Sequence, residues 1–236
     1  MLKNNKIAKF ITMLTVAAML MGTLTFGQTA SATEPTVDEM WQNMIAYTTI
    51  NPVTITEFEN TIYILAYVRI TGRAADMFIN AEKGITYRQA ALEGIKHGWS
   101  TYYNGKRVEV ILVDVTFGNH GGLKMYQNVL DIQINTGLGI CALHRYGNWM
   151  KYNPGRIVMF QGDSRTGYDF PYFHQYFTTF GEVASHEFGH ALGIGHPTKD
   201  GVFSVMSMPW VRASNEDIHY AIEAYNSNSW QATWPR

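Results

Sequence analysis

The sequence predicts one α/β domain in which a mixed β-sheet packs against helices. Three observations predict this class: the order of strand and helix patterns, two helix-capping motifs, and a composition that can bury a core. The 236 residues are 46% hydrophobic and 16% charged, which excludes a disordered chain and suffices for one sizeable core. The 18 Lys and Arg nearly balance the 19 Asp and Glu, so no basic surplus indicates binding to nucleic acid or to an anionic membrane.

The first 32 residues have the layout of a secretory signal peptide. Three lysines precede an apolar run from Phe10 to about Leu24, and the small residues Ala30-Ser31-Ala32 follow it. A membrane anchor is the alternative interpretation, but the run is interrupted by polar residues and is shorter than the roughly 18 apolar residues of a spanning helix. We expect cleavage after Ala32, a secreted mature protein without a membrane segment, and an N-terminal segment or short propeptide over residues 33–58.

The first strand and helix of the domain follow. Residues Thr61–Ile70 are rich in β-branched and aromatic side chains, which predicts a strand. Thr86 and Gln89 have the spacing of a capping box, and apolar residues then recur every four positions, so a helix is predicted to begin there. We expect Asn104-Gly105 to end this helix, because both residue types tolerate the left-handed conformation of a helix C-terminus.

The second half of the chain contains further strands and two helices. Strands are predicted at Arg107–Thr116, Val129–Asn135, Ile140–Arg145 and Arg156–Gln161. Thr179 and Glu182 form a second capping box, which predicts a helix that runs to about Leu192. Ser214 is predicted to begin a last helix. This order of strand, helix, three or four strands, helix, loop and helix is the main support for the α/β class.

One segment carries the chemistry, and it reads His-Glu-Phe-Gly-His-Ala-Leu-Gly-Ile-Gly-His. His186 and His190 are four residues apart on the predicted helix, so both imidazoles leave the same face and can bind one metal ion. Gly193 can end the helix, so the chain can turn and bring back His196 as a third ligand. Three histidines leave a fourth zinc position for water, and Glu187 is placed to accept the proton of that water.

On these residues the chain resembles the metzincin clan of zinc endopeptidases, whose signature H-E-x-x-H-x-x-G-x-x-H is followed by a methionine-containing turn, the Met-turn. Ser204-Val205-Met206-Ser207 looks like that turn, with Met206 beneath the three imidazoles. The resemblance covers roughly residues 60–226 and has features of both matrixins and serralysins. It implies an α+β zincin fold over residues 59–236, with a mixed, mostly parallel twisted sheet, a zinc-binding active-site helix, the Met-turn and a C-terminal helix. Met208 departs from the pattern, because serralysins and astacins carry tyrosine there.

The resemblance implies a secreted zinc metalloendopeptidase with one catalytic Zn²⁺, acting on proteins or peptides, and we expect a monomer. The implied zinc ligands are His186, His190 and His196, and the implied general base is Glu187. Structural calcium occurs in similar proteins, but no dense set of acidic residues supports it in this chain.

By analogy with matrixins, an extended substrate is expected to lie along an edge strand that contains Ile140, Ala142 and His144. Phe203 and Trp210 are expected to line an apolar substrate pocket. Two alternative functions stay open: a zinc-stabilised secreted binding protein without turnover, and a zinc amidase that acts on cell-wall peptides. The glutamate of the motif favours a hydrolase over a binding protein, because a purely structural zinc site has no use for a base.

Several other residues are candidates for a functional site, but packing or a turn is the favoured interpretation of each. Cys141 is the one cysteine, so it has no intramolecular disulfide partner and is expected to be a small buried hydrophobe. His120, Asp163 and Asp169 are candidates for a second metal site, but a turn is the favoured interpretation of this part of the sequence. The seven aromatic residues of Tyr168–Phe180 are expected to pack in the core rather than line the cleft.

Overall fold

The computed structural model describes residues 53–58, 60–116, 129–144, 155–172, 178–197, 203–207, 209, 211–229 and 231–233. The expected signal peptide and most of the segment 33–58 lie outside the described residues, as do His120, Met208 and Trp210. Within the described part of the chain, no helix is long and apolar enough to cross a membrane.

Four long parallel strands form the centre of the main sheet. Strand β2 (Thr61–Thr71) lies between β6 (Lys106–Asp114) on one side and β7 (Leu130–Gly139) on the other, and β7 pairs with β9 (Arg156–Asp163). Sheets of parallel strands usually have both faces covered by helices or loops. The many fully buried aliphatic side chains of these four strands agree with such covering. The structure therefore confirms the predicted mixed α/β class with a mostly parallel sheet.

Short antiparallel strands complete this sheet. They are β1 (Val53–Phe58) on β2, β5 (Thr101–Tyr103) on β6, and both β8 (Ala142–His144) and β10 (Tyr168–Asp169) on β9. Among the described strands β8 pairs only with β9, so it lies at an edge of the sheet. Two small sheets lie apart from it: an antiparallel pair of β3 (Phe78–Asn80) and β4 (Ile85–Thr86), and a parallel pair of β11 (Ile194–His196) and β12 (Gln231–Thr233).

The described residues contain three helices, and each begins at a capping box. The helices are α1 (Tyr87–Trp99), α2 (Phe180–Ala191) and α3 (Asn215–Ser227). The boxes at the start of α1 and α2 are the two that the sequence predicted. The third box pairs Ser214 with Asp217, so an aspartate occupies the position where the usual motif has glutamate or glutamine.

The predicted C-terminal end of α1 is wrong. The helix ends at Trp99, and Asn104-Gly105 instead forms the two-residue turn of the β5–β6 hairpin, in which Tyr103 pairs with Lys106. Asn104 has φ of 48° and Gly105 has φ of 79°, so both adopt the positive φ that a tight hairpin turn requires. The dipeptide is correctly identified as a site of left-handed backbone, but it joins two strands rather than ending a helix.

Helices α1 and α2 pack closely because small residues face each other across the contact. A Cβ atom on Gly94 would overlap the backbone of Gly181, and one on Gly98 would overlap the Ser185 hydroxyl. Beside this contact the fully buried Trp99 donates from Nε1 to the Ser185 carbonyl oxygen over 2.9 Å. These contacts hold α2, the helix that carries the histidine motif, against α1.

We predict that Gly94→Ala destabilises the protein. Alanine favours a helix over glycine by about 1 kcal/mol, so helix propensity alone would stabilise the variant. The added methyl group meets the α2 backbone, which has no free rotamer to relieve the overlap, and we expect a net loss of about 1–3 kcal/mol. Urea unfolding measures the change, with Lys96→Ala at an exposed position of the same helix as the control. A stabilised Gly94→Ala protein would contradict this packing.

Candidate metal centre

Helix α2 and strand β11 bring three imidazoles together. His186 and His190 lie on α2 and His196 lies on β11, and one ligand nitrogen from each falls within 4.8 Å of the others. The ring centroids are 4.8–5.1 Å apart, and the Nε2 atoms of His186 and His196 are separated by 3.1 Å. The three histidines that the motif predicted as ligands are therefore close enough to bind one metal ion.

The third histidine reaches the site because the chain reverses directly after α2. Leu192 caps the helix, and Gly193 follows with φ of 91°, a conformation in which glycine is strongly favoured. Its amide donates to the His190 carbonyl oxygen over 3.0 Å. The reversal leads into β11, which holds His196 opposite Thr233 of β12.

Backbone carbonyl groups set the orientation of the two helical imidazoles. Nδ1 of His186 lies 2.9 Å from the Val205 carbonyl oxygen, and Nδ1 of His190 lies 2.9 Å from that of Ile194. A carbonyl oxygen only accepts, so each Nδ1 carries the proton and each Nε2 presents its lone pair. Histidine ligands of metal ions are commonly supported in this way, and the donor set of three imidazole nitrogens fits a borderline-soft divalent cation.

The surroundings of His186 keep its imidazole neutral. Its pKa is lowered from 6.5 to about 4, mainly by burial and also by the neighbouring His190, while the hydrogen bond to Val205 opposes the shift. A histidine must be neutral to bind a metal ion, so at neutral pH no proton has to leave His186 before the ion binds.

Glu187 is buried beside the histidines, with 5% of its surface exposed. Burial raises the pKa of its carboxyl group to about 7, and a backbone hydrogen bond from Leu143 and the charge of Arg165 oppose that shift. Its Oε2 atom has no hydrogen-bond partner among the described residues. A carboxylate with a pKa near 7 and one unoccupied oxygen is suited to transfer a proton at neutral pH.

The turn at Ser204–Ser207 packs against α2 close to the imidazoles. Met206 is 1% exposed, and a Cβ atom on Gly189 would overlap its sulfur. Glycine between Phe188 and His190 therefore leaves the space that this methionine side chain occupies. The same turn supplies the Val205 carbonyl oxygen that orients His186.

Asp217 fixes this turn, and the sequence interpretation did not assign it that role. Its fully buried carboxylate accepts from the Ser204 hydroxyl over 2.7 Å, from the Val205 amide over 3.3 Å and from the Ser214 amide over 2.8 Å. On balance the pKa of Asp217 is raised, because the effect of burial exceeds the opposing effect of these hydrogen bonds. The capping spacing of Ser214 and Asp217 was the available signal, but the contact with Ser204 spans 13 residues and follows no local pattern.

Of the described residues expected to contact substrate, two lie on the edge strand β8 and two lie outside it in exposed positions. Ala142 and His144 lie on the edge strand β8, whose Leu143 backbone contacts Glu187, whereas Ile140 precedes the strand and is 57% exposed. Phe203 is 73% exposed just before the turn.

The remaining candidate residues lie in turns, at the surface or in the core. Asp163 accepts hydrogen bonds from Arg165 in the turn between β9 and β10, and Asp169 is exposed on β10. Cys141 has no disulfide partner and is half-buried rather than fully buried as expected, and burial raises the pKa of its thiol to about 12. The expectation that the aromatic residues of Tyr168–Phe180 pack in the core holds for Phe180, which is fully buried with its ring centroid 4.9 Å from that of Tyr87, but not for Tyr168, which is 66% exposed.

A comparison with protein-family models found no match to this chain, and a search of curated proteins found no match either. Any assignment of family or activity therefore depends on the motif and on the geometry of the site.

We predict one equivalent of bound zinc, and a loss of affinity when any of the three histidines is replaced by alanine. Each change removes a residue that binds the ion directly. The loss of metal affinity should therefore exceed the roughly 10–100-fold that follows removal of a supporting hydrogen bond. Competitive titration against a chromogenic chelator measures the affinity, and His97→Ala on α1 is the matched control. Full zinc content in all three variants would reject this ligand set.

We predict that Asp217→Asn weakens both the fold and the metal site. An amide cannot accept all the hydrogen bonds that the carboxylate accepts, so we expect a loss of about 1–3 kcal/mol in unfolding free energy. The turn that orients His186 then loosens, and metal affinity should fall by about 10-fold or more. Glu216→Gln, at the exposed preceding position, is the control. A destabilised variant with wild-type metal affinity would show that the turn does not orient the ligand.

Proposed function

We propose that this protein is a secreted zinc-dependent endopeptidase of the metzincin type. The observation that carries the proposal is the convergence of His186, His190 and His196 next to the buried acid Glu187. Each residue comes from one H-E-x-x-H-x-x-G-x-x-H segment, in which the spacing provides the ligands and the base together.

Zinc is the metal that the donor set favours. Three imidazoles are the ligands of many catalytic zinc sites, whereas structural zinc sites are usually closed by a fourth protein ligand and are often rich in cysteine. No other cluster of three metal-ligating side chains occurs among the described residues. When bound, zinc would polarise a substrate carbonyl group and lower the pKa of a coordinated water toward 7.

The residues of the chain then have separate tasks. His186 and His190 would hold the ion through Nε2, while each Nδ1–H group donates to a backbone carbonyl oxygen. Glu187 accepts the proton of the attacking water on a carboxylate oxygen, and it later donates that proton to the nitrogen of the leaving amine. A pKa near 7 suits both proton transfers, because the carboxylate can accept a proton from water and can then release it to the amine at neutral pH.

An extended substrate would pair with the edge strand β8. Among the described strands the outer side of β8 is unpaired, and its Leu143 backbone lies at the Glu187 carboxylate. An added strand at this edge would place a peptide bond next to the proposed base. Ala142 and His144 are the residues of β8 that would flank it.

The zincin-type fold and secretion belong to the same proposal. The parallel sheet with an antiparallel edge strand, the histidine-bearing α2, the Met206 turn and the closing helix α3 support the fold. The charged, apolar and small-residue order of the first 32 residues supports export.

Glu187 separates this proposal from one of the two alternatives, the binding protein without turnover. A zinc-stabilised binding protein gives no role to a buried carboxylate with an unpaired oxygen beside the ligands. An amidase that acts on cell-wall peptides would use the same residues on a different substrate. Assays on denatured protein and on cell-wall peptides distinguish the two hydrolases.

We predict that Glu187→Gln abolishes most peptide cleavage while zinc stays bound. The amide keeps the size of the side chain but cannot accept a proton, so kcat/KM should fall by about 10²–10⁴. Cleavage of a denatured protein measures activity, and elemental analysis measures zinc in the same samples.

The matched control for this change is Glu82→Gln, at an exposed position in the turn between β3 and β4. Wild-type cleavage by the zinc-loaded Glu187→Gln protein would end the proposed mechanism. Absence of cleavage by the wild type on every protein and peptide tested would favour the binding protein.

A further inference from the structure

Arg165 is held in a fixed orientation by the turn that joins β9 to β10. Its Nε lies 3.0 Å from Oδ1 and 3.1 Å from Oδ2 of Asp163, and its Nη2 lies 2.9 Å from Oδ2. The Asp163 carboxylate is buried and also accepts from the Arg165 amide over 2.9 Å, while its carbonyl oxygen accepts from the Gly167 amide. A guanidinium group paired in this way keeps its position with little further loss of side-chain entropy.

This turn lies next to the chain segment that borders the candidate metal centre. The Ser164 amide donates to the Gly139 carbonyl oxygen over 3.1 Å, and Gly139 pairs with Asp163 across β7 and β9. From Gly139 the chain continues directly into β8, whose Leu143 backbone contacts Glu187. The Arg165 turn and the proposed base therefore flank the same short segment of residues 139–143.

Part of this guanidinium group is open to a ligand. The Arg165 side chain is 70% exposed, and its contacts with Asp163 use only Nε and Nη2. No described residue accepts a hydrogen bond from its Nη1. The fixed orientation, the exposed donor and the location beside β8 suit the carboxylate of a peptide that lies along the edge strand.

We propose that Arg165 is a specificity-determining residue that binds a substrate carboxylate close to the scissile bond. The carboxylate that an endopeptidase would meet here is an acidic side chain; a peptide C-terminus presents the same group to a guanidinium and is therefore tested beside it. The inference rests on the proposed function in so far as it places a peptide at β8. Because the pair is exposed, the preference should be roughly two- to fivefold rather than absolute.

The test begins with a peptide taken from a site that the wild type cleaves in a denatured protein. If no site is found, we use a mixture of extended peptides and follow binding alone. Four versions are compared: glutamate or glutamine at the flanking positions, each with a free or an amidated C-terminus. Cleavage is measured as kcat/KM with the wild-type protein, and binding as Kd with the zinc-loaded Glu187→Gln protein.

We expect the wild-type site to favour the glutamate or the free-terminus peptide by roughly two- to fivefold, and to lose that preference as salt rises from about 50 to about 500 mM. Arg165→Gln should remove the preference, Arg165→Lys should keep part of it, and Arg165→Glu should reverse it toward the glutamine or the amidated peptide. Arg107→Gln, at a similarly exposed arginine on β6, is the matched control. Melting temperature and zinc content are measured for each variant, because Asp163 loses its partner in Arg165→Gln.

The two proposals fail in different ways. Cleavage by the wild type with the same preference in Arg165→Gln would overturn the role of Arg165 and leave the endopeptidase intact. An Arg165-dependent preference in binding, without cleavage by the wild type, would overturn the endopeptidase and support the carboxylate site. Loss of the preference in Arg107→Gln as well would show a general charge effect and overturn the specific role.

Discussion

The arrangement of the metal centre depends on one hydrogen bond, between Nδ1 of His186 and the Val205 carbonyl oxygen. This bond fixes the tautomer of the imidazole, and it also joins the ligand helix α2 to the turn at Ser204–Ser207. The Asp217 carboxylate holds the turn in place through the Ser204 hydroxyl and the Val205 amide. A buried acid at the start of α3 therefore influences a metal ligand that it does not touch. Small residues add a second constraint, because α2 can lie against both α1 and Met206 only where Gly94, Gly181 and Gly189 carry no side chain.

Features that depend on neighbouring residues could be predicted from the sequence. The starts of α1 and α2 follow from capping boxes that close within four residues, and the two helical ligands follow from the pitch of a helix. Asn104-Gly105 shows the limit of such local arguments. Many helix ends and tight hairpin turns both use residues with positive φ, so the dipeptide indicates the backbone conformation but not which of the two structures it belongs to.

Features that depend on the register of distant strands could not be predicted. The turn that contains Arg165 lies beside the segment leading into β8 only because β9 pairs with β7, and no spacing in the sequence records that arrangement. The contact of Asp217 with the Met206 turn has the same origin, since packing of α3 brings together residues from two separate segments. Tertiary contacts of this kind surround a motif that is itself local, which explains why the ligands could be identified from the sequence and their supports could not.

The three ligands are held with unequal strength, which sets an order for release of the ion. His186 and His190 lie on a capped helix and each donates from Nδ1 to a backbone carbonyl group. His196 is exposed and lies on β11, a strand of three residues that pairs with β12 through Thr233. If a metal ion were bound by the three histidines, we would expect His196 to be the first ligand to exchange. Opening of the β11–β12 pair would free this histidine, so chain extensions or fusions next to β12 would be expected to change metal exchange from a distance along the chain.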